Sequence, residues 1–371
     1  MCIRDRVVSG SNLTPLEFTI NSISAIEGSL SGPSAAHAMQ SYTDRSLAMS
    51  EASIHTLELI AVFCLDKSTS TFSRKELNTW FHDVYKKNNR NPAAISSTTF
   101  QPVLQAACDQ NILSPCSENR YRFHLPTVAG YLAARGLSKS DPKLVLRVLQ
   151  KPDWGPLHDC MRYFSEFNDI KLFLKPLLLD KTLLRTNLHR ASYWLENAKH
   201  NSPEETALLK QITREIQTNG IYLIKVRLIC SLVRSRNPQI KAILQHLQKS
   251  KDVDTRRAAA VGLGLLQDLS AVPFLIKQLN DSIPSSITAC YALGKIGSPR
   301  SLEAIAEALL HGSELLRRAA AESLAQNRSE GHPALREGAT MDDLLVRHAV
   351  VHGLGLINEP WALEILDKMR I

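Results

Sequence analysis

Leucine falls at 263, 293, 324 and 354, each time closing the same block of small, apolar and polar positions. In register the blocks are Arg257 to Gly264 (RAAAVGLG), Ile287 to Gly294 (ITACYALG), Arg318 to Ala325 (RAAAESLA) and His348 to Gly355 (HAVVHGLG). The leucines are 30, 31 and 30 residues apart. Each block reads as the second helix of a pair, behind a first helix such as Val272 to Leu279 or Leu302 to Leu310. A two-helix unit cannot bury its apolar face alone, so this period predicts an α-solenoid in which neighbours share one core. Small residues recur where helix backbones must approach: Gly262, Ala292, Ser323 and Gly353 at one aligned position, Ala259, Ala289 and Ala320 at another. Glycine inside a helix costs roughly 1 kcal/mol against alanine, so its recurrence marks a packing requirement. At Gly264, Gly294 and Gly355, near the helix ends, C-capping is the alternative use. Leu232, 31 residues before Leu263, predicts an earlier, degraded repeat beginning near Val226.

Upstream the pattern changes. Leu13, Leu16, Ile20, Ile23 and Ile26 share one helical face, a Gly/Ser/Pro break follows at Gly28 to Ser34, and Ala35 to Leu47 reads as a second short helix. Ile54, Leu57, Ile60, Ala61 and Leu65 predict a buried helix. Ser73 with Glu76 forms a capping box opening another, which carries Leu77, Trp80, Phe81 and Val84. A third, from about Thr99, tolerates Pro102 in its first turn and turns Phe100, Val103, Leu104 and Ala107 inward. Ile112 to Ser114 and Tyr121 to His124 are two short strands of a hairpin, and Pro126 starts a closing helix to Arg135. Three helices followed by a β-hairpin describe a winged helix. The expected fold is therefore all-α: a helical lead-in (1–50), a winged-helix-like module with a small β-hairpin (51–138), a helical connector (139–220) and the solenoid (221–371).

The stretch Asn119 to Arg135 (NRYRFHLPTVAGYLAAR) resembles the YRF-H-x-x-T-x-x-x-YLAA segment that ends the winged-helix region of NACHT-type (STAND) signal-transduction NTPases. Where that family commonly has Phe-Gln-Glu before the tyrosine, this chain has Val128-Ala129-Gly130. Trp154 followed by Met161 to Phe164 is similar to the next landmark of the family. From Ile240 onward the repeats resemble HEAT repeats of the short, bacterial type. The NACHT resemblance implies a winged helix that locks an NTPase off and repeats that recognise a trigger.

The chemistry of an NTPase is absent from the sequence itself. No GxxxxGK[ST] segment supplies the amides, lysine and hydroxyl that hold a nucleotide, and Gly294-Lys295-Ile296 belongs to a repeat. If the resemblance holds, the ATPase core lies upstream. Met1-Cys2-Ile3-Arg4-Asp5-Arg6 reads as an assembly end rather than an authentic start, so the chain is expected to be truncated. No catalytic residue, cofactor or metal ligand is assigned. His348 and His352, four apart, share a helix face that a metal could bridge, but no carboxylate stands at ligand spacing and the His-Glu dyads of HEAT-type di-iron hydroxylases are missing. His55, His158 and His189 read as surface polar residues, Trp80 and Trp154 as core.

Charge adds a second reading. Forty-four basic against 36 acidic residues leave a formal net charge of +8, which favours acidic partners. Arg256, Arg257, Arg317, Arg318 and Arg347 recur at aligned positions early in successive second helices, and stacking would line them into a ladder. These are the candidate partner-binding residues. Their bland alternative is pairing with loop carboxylates such as Asp254, Glu314 and Asp342. Lys86, Lys87 and Arg90 form another basic cluster, most simply a solvated loop. Seven scattered cysteines without a CxxC pair fit reduced thiols in the cytoplasm. No run of 18 apolar residues predicts a membrane helix. The expected function is non-enzymatic: the sensor and interaction module of a NACHT-like signalling protein, with a protein partner. Nucleic-acid binding through the wing and arginine ladder is the alternative, and a HEAT-type lyase or glycosylase the weakest reading.

Overall fold

The computed structural model describes residues 13–26, 34–46, 49–86, 100–117, 119–149, 151, 155–174, 177–178, 182–196, 198 and 202–369. The segment Met1 to Arg6 read as an assembly end, Lys87 and Arg90 of the basic cluster with Lys86, and Trp154 lie outside the described residues. The chain divides into two compact units, residues 1–176 with 193–200, and residues 177–192 with 201–371.

The first unit contains α1 (Pro15–Ile26), α2 (Ala35–Ser46), α3 (Glu51–Lys67), β1 (Thr71–Ser73), α4 (Arg74–Lys86), α5 (Phe100–Asp109), β2 (Leu113–Ser117), β3 (Arg120–Phe123), α6 (Pro126–Ser138), α7 (Pro142–Leu149), α8 (Gly155–Phe167) and the single turn α9 (Lys171–Leu174). The capping box forms as expected, with the Ser73 amide donating to Glu76 Oε2 at 2.7 Å and the Glu76 amide to Ser73 Oγ at 3.3 Å. The hairpin is the larger part of a three-stranded antiparallel sheet ordered β1-β3-β2, with Phe72 opposite Tyr121 and Leu113 opposite Phe123. Three residues of β1 are too few for alternation to show in the sequence.

Helix α6 is the centre of this unit. Tyr131, Leu132, Ala133 and Ala134 are all buried, and α6 packs on both α3 and α8. Close approach explains the glycine of Val128-Ala129-Gly130: a methyl group at Gly130 would lie 2.8 Å from Asp159 Cβ and 3.2 Å from the backbone of α8. Trp80 is core, its Nε1 donating to Asp66 Oδ2 at 2.7 Å.

Helix α1 corrects the sequence reading. Its buried face is Glu17, Ile20, Asn21 and Ser24, while Ile23 and Ile26 face solvent. The cause is a buried ion pair. Arg162 of α8 donates to both Glu17 oxygens, at 2.7 and 2.9 Å, and Tyr163 Oη donates to Oε1 at 2.6 Å, so the charge fixes the rotation of the helix. Burial pushes the Glu17 carboxyl up, but the bonds from Arg162 and Tyr163 outweigh it and hold it below the usual glutamate range.

The second unit holds repeated helix pairs. Helix α10 (Thr186–Leu195) spans the division between the units. The pairs are α11 (Pro203–Thr218) with α12 (Tyr222–Arg234), α13 (Ile240–Leu247) with α14 (Val253–Leu265), α15 (Val272–Gln278) with α16 (Ile283–Ile296), α17 (Pro299–His311) with α18 (Glu314–Ala325), and α19 (Gly331–Ala339) with α20 (Leu344–Leu354), followed by α21 (Pro360–Met369). The fold is an α-solenoid, and the pair ending in Leu232 is a full member of it. Leu232, Leu263, Leu293, Leu324 and Leu354 are all buried. A methyl group at Gly262 would lie 2.7 Å from Ile229 Cγ2, and one at Gly264 2.9 Å from Ala292 Cα, so both glycines serve packing between repeats. Of the three glycines for which C-capping is the alternative, Gly355 is the C-cap of α20, in the ordinary helical region; Gly297 ends α16 in the left-handed region at φ 62°.

Candidate interaction surface

The second helices α12, α14, α16, α18 and α20 lie side by side, and polar bonds pin each to the next at matching heights. At the first turn, Lys225 Nζ reaches Asp252 Oδ2 at 2.5 Å and Thr255 Oγ1 at 2.8 Å. Arg257 Nε donates to the Pro284 carbonyl at 3.1 Å, and Arg317 Nη1 to Asp343 Oδ2 at 2.9 Å. One turn further on, Tyr291 Oη donates to Glu322, whose other oxygen meets His352 Nε2 at 2.5 Å. Near the helix ends Lys295 Nζ donates to Gln326 Oε1 at 3.1 Å.

Asp252 and Asp343 are also the N-caps of α14 and α20, accepting backbone amides from Thr255 and from Leu345 and Val346. One carboxylate thus caps its own helix and holds a cation of the preceding repeat. The Lys225 ammonium, then Thr255, bring the Asp252 carboxyl down to about 2. Arg317 and the Leu345 amide likewise lower Asp343. At Glu322 burial pushes the carboxyl up, but Tyr291, His352 and Arg318 together hold it below the ordinary value. Burial and the Glu322 carboxylate push the Tyr291 phenol up.

The five arginines singled out from the sequence divide into two groups. Arg256 donates to the carbonyls of Ser250 and Lys251 at 2.9 and 3.0 Å and lies 3.6 Å from Asp281. Arg257 pairs with Asp254 at 2.7 Å and stacks over the Tyr222 ring at 3.9 Å. Arg317 spends its guanidinium on the Gly312 carbonyl and Asp343. These three are tied into their own chain. Arg318 faces solvent, 3.7 Å from Glu322, and half-buried Arg347 has no ion-pair partner among the described residues. The row is also interrupted, because α16 carries Ser286 and Ile287 at the aligned positions. Of the loop carboxylates expected to pair, Asp254 does, whereas Arg317 takes Asp343 in place of Glu314 or Asp342.

Two features escaped the sequence reading. Lys225 is the first rung of the cation row, hidden because its repeat is degraded. The Tyr291, Glu322 and His352 rungs occupy one aligned position, with Val261 the fourth member, and three polar residues in an otherwise apolar block were the available signal. His352 faces Glu322 and His348 is exposed; among the described residues no group of three or more His, Cys, Asp or Glu is arranged to hold a metal ion. His189 is half-buried, its Nδ1 2.6 Å from Ser231 Oγ of α12, so it joins helices instead of decorating the surface.

The period, the stacked pairs and the small-residue seams together meet a known pattern. Residues 240–325 match the model of HEAT repeats. No curated protein matches the sequence. Among solved structures the chain is similar to the Escherichia coli protein YibA, with 17% identity, 65% of this chain and 90% of that one covered, and a TM-score of 0.36. Human deoxyhypusine hydroxylase in complex with glycerol shows 18% identity over 53% of this chain and 89% of that one, with a TM-score of 0.26. An engineered protein shows 15% identity over 84% and 92%, with a TM-score of 0.28. Superpositions this loose carry no argument about activity. The HEAT repeats are thus the part of the chain for which a family match and a built surface coincide.

Proposed function

We propose that this chain is the non-catalytic interaction portion of a NACHT-like signalling protein of the cytoplasm, and that its HEAT solenoid binds a protein partner on the face of the second helices. The observation that carries the reading is the in-register row of Tyr291, Glu322 and His352. Its side chains are bonded to one another across three helices, so the face is rigid before any partner arrives, which lowers the ordering cost of binding. Arg318 and Arg347 stand beside it with charge to offer. In the first unit the order helix, strand, helix, helix, strand, strand, with the last strand central, is in keeping with the winged-helix-like module of this reading, and the NACHT-like part rests on the sequence resemblance. No helix among the described residues is long and apolar enough to cross a membrane.

The nucleic-acid alternative has less support. Helix α5, the recognition helix of such a module, presents Gln101, Gln105 and Asp109 and carries no basic residue. Arg256, Arg257 and Arg317 are already neutralised.

A photo-crosslinking residue in place of Arg318 is expected to join a partner polypeptide, and one in place of Glu303 on the first-helix side is not. Labelling from position 303 alone, or from neither, overturns the reading. The NACHT part is tested separately: genomic sequence in frame before Met1 should encode GxxxxGK[ST], and a stop codon there removes it.

A further inference from the structure

Every second helix opens on an exposed branched aliphatic residue. Leu223, Val253, Ile283, Leu315 and Leu344 each occupy the first or second position of their helix and are between 38% and 75% exposed. One exposed leucine needs no explanation. Val253, Ile283 and Leu344 share one repeat position, whose member in α18 is Glu314, and Leu223 and Leu315 occupy the next, so the first turns present an apolar edge two positions wide. The Lys225–Asp252, Arg257–Pro284 and Arg317–Asp343 bonds hold the first turns of α12 and α14, α14 and α16, and α18 and α20 side by side.

The two flanks of this edge differ in charge over its last two rungs, α18 and α20. Toward the loops stand the exposed carboxylates of Glu314, the first residue of α18, and Asp342, in the turn before α20. One turn along the helices, on the same face as Leu315 and Leu344, stand Arg318 and Arg347, placed there by the i,i+3 geometry of the helix.

Resting on the interaction reading above, we infer that this edge docks an amphipathic α-helix of a protein partner, with leucine-like residues at heptad spacing, basic residues toward the loops and acidic residues toward Arg318 and Arg347. The spacing fits. Packed helices lie about 8–10 Å apart, and seven residues of α-helix rise about 10.5 Å, so a shallow crossing angle seats successive heptads on two or three rungs. A polyproline segment repeats at about 9.3 Å, but such ligands dock on aromatic platforms, and the one aromatic at this edge, Tyr222, is covered by Arg257.

Three synthetic peptides of about 21 residues test this on the full chain by fluorescence anisotropy. One is a helix former with a heptad leucine stripe, lysines on one flank and glutamates on the other. A second has the same composition with the charges interleaved on both flanks. A third is proline-rich with leucine at every third position. The first is expected to bind at least tenfold more tightly than the others, and Glu314→Arg/Asp342→Arg is expected to abolish that advantage and favour an all-glutamate version. Equal binding by the first two, no binding by any, or preference for the proline-rich peptide overturns the inference. Crosslinking from position 318 distinguishes the failures: a partner still captured there leaves the interaction reading standing while this docking mode falls.

Discussion

Lys225 and Asp252 show how one side-chain pair carries several duties. The ammonium is buried, and its counter-charge also caps α14. Asp252→Ala is expected to cost roughly 2–3 kcal/mol in urea unfolding at neutral pH, from a lost cap and a cation left with Thr255 alone, discounted because the carboxylate is half exposed. Lys225→Met on that background should recover part of the loss. The pH sign follows from a folded-state value below the unfolded one: the contribution is complete above the ordinary aspartate range of about 3.9 and disappears as the pH falls to about 2. Leu293 was legible as core from the 30-residue period and is fully buried. Leu293→Ala should therefore destabilise by about 2–5 kcal/mol, read from a lowered thermal midpoint. Lys225 itself was not legible, because its repeat has lost the small-residue block that aligns the others.

At the scale of single elements, helices with apolar stripes were readable and α1 was not. Periodicity assigns a buried face to whatever is hydrophobic, yet α1 buries Glu17, Asn21 and Ser24 because Arg162, 145 residues away, supplies a partner that no local pattern reveals. Arg162→Leu should strand the Glu17 carboxylate and cost about 3–5 kcal/mol, with Glu17→Leu/Arg162→Leu milder than the single change. Near-UV circular dichroism, which senses Tyr163, is a direct readout. Since the Glu17 carboxyl titrates below its unfolded value, the α1 anchor is complete above the ordinary glutamate range and weakens as the pH drops through the lower folded value. Strand β1 escaped for a different reason: it is defined by its partner β3 and has no internal pattern of its own.

Across the whole molecule, net charge proved a poor guide to surface chemistry. The excess of 8 positive charges coexists with arginines consumed by backbone carbonyls and caps. Binding to generic duplex DNA at physiological salt is expected to be no tighter than nonspecific levels, about 10⁻⁴ M or weaker; nanomolar binding with a steep salt slope would restore the nucleic-acid reading. Thiol reactivity should follow burial in the same way. Ellman's reagent is expected to modify exposed Cys116 in the folded protein and to spare Cys64 and Cys290, whose thiols burial pushes up to about 12, until urea is added. The two cation-to-cap clips, Lys225 to Asp252 and Arg317 to Asp343, both run one way, from a repeat to the one after it. A cut in the turn before α19 would therefore leave unlike stumps, a guanidinium without its aspartate on one piece and a bare helix cap on the other, and the two severed pieces should recognise each other's ends and reassemble in the original order.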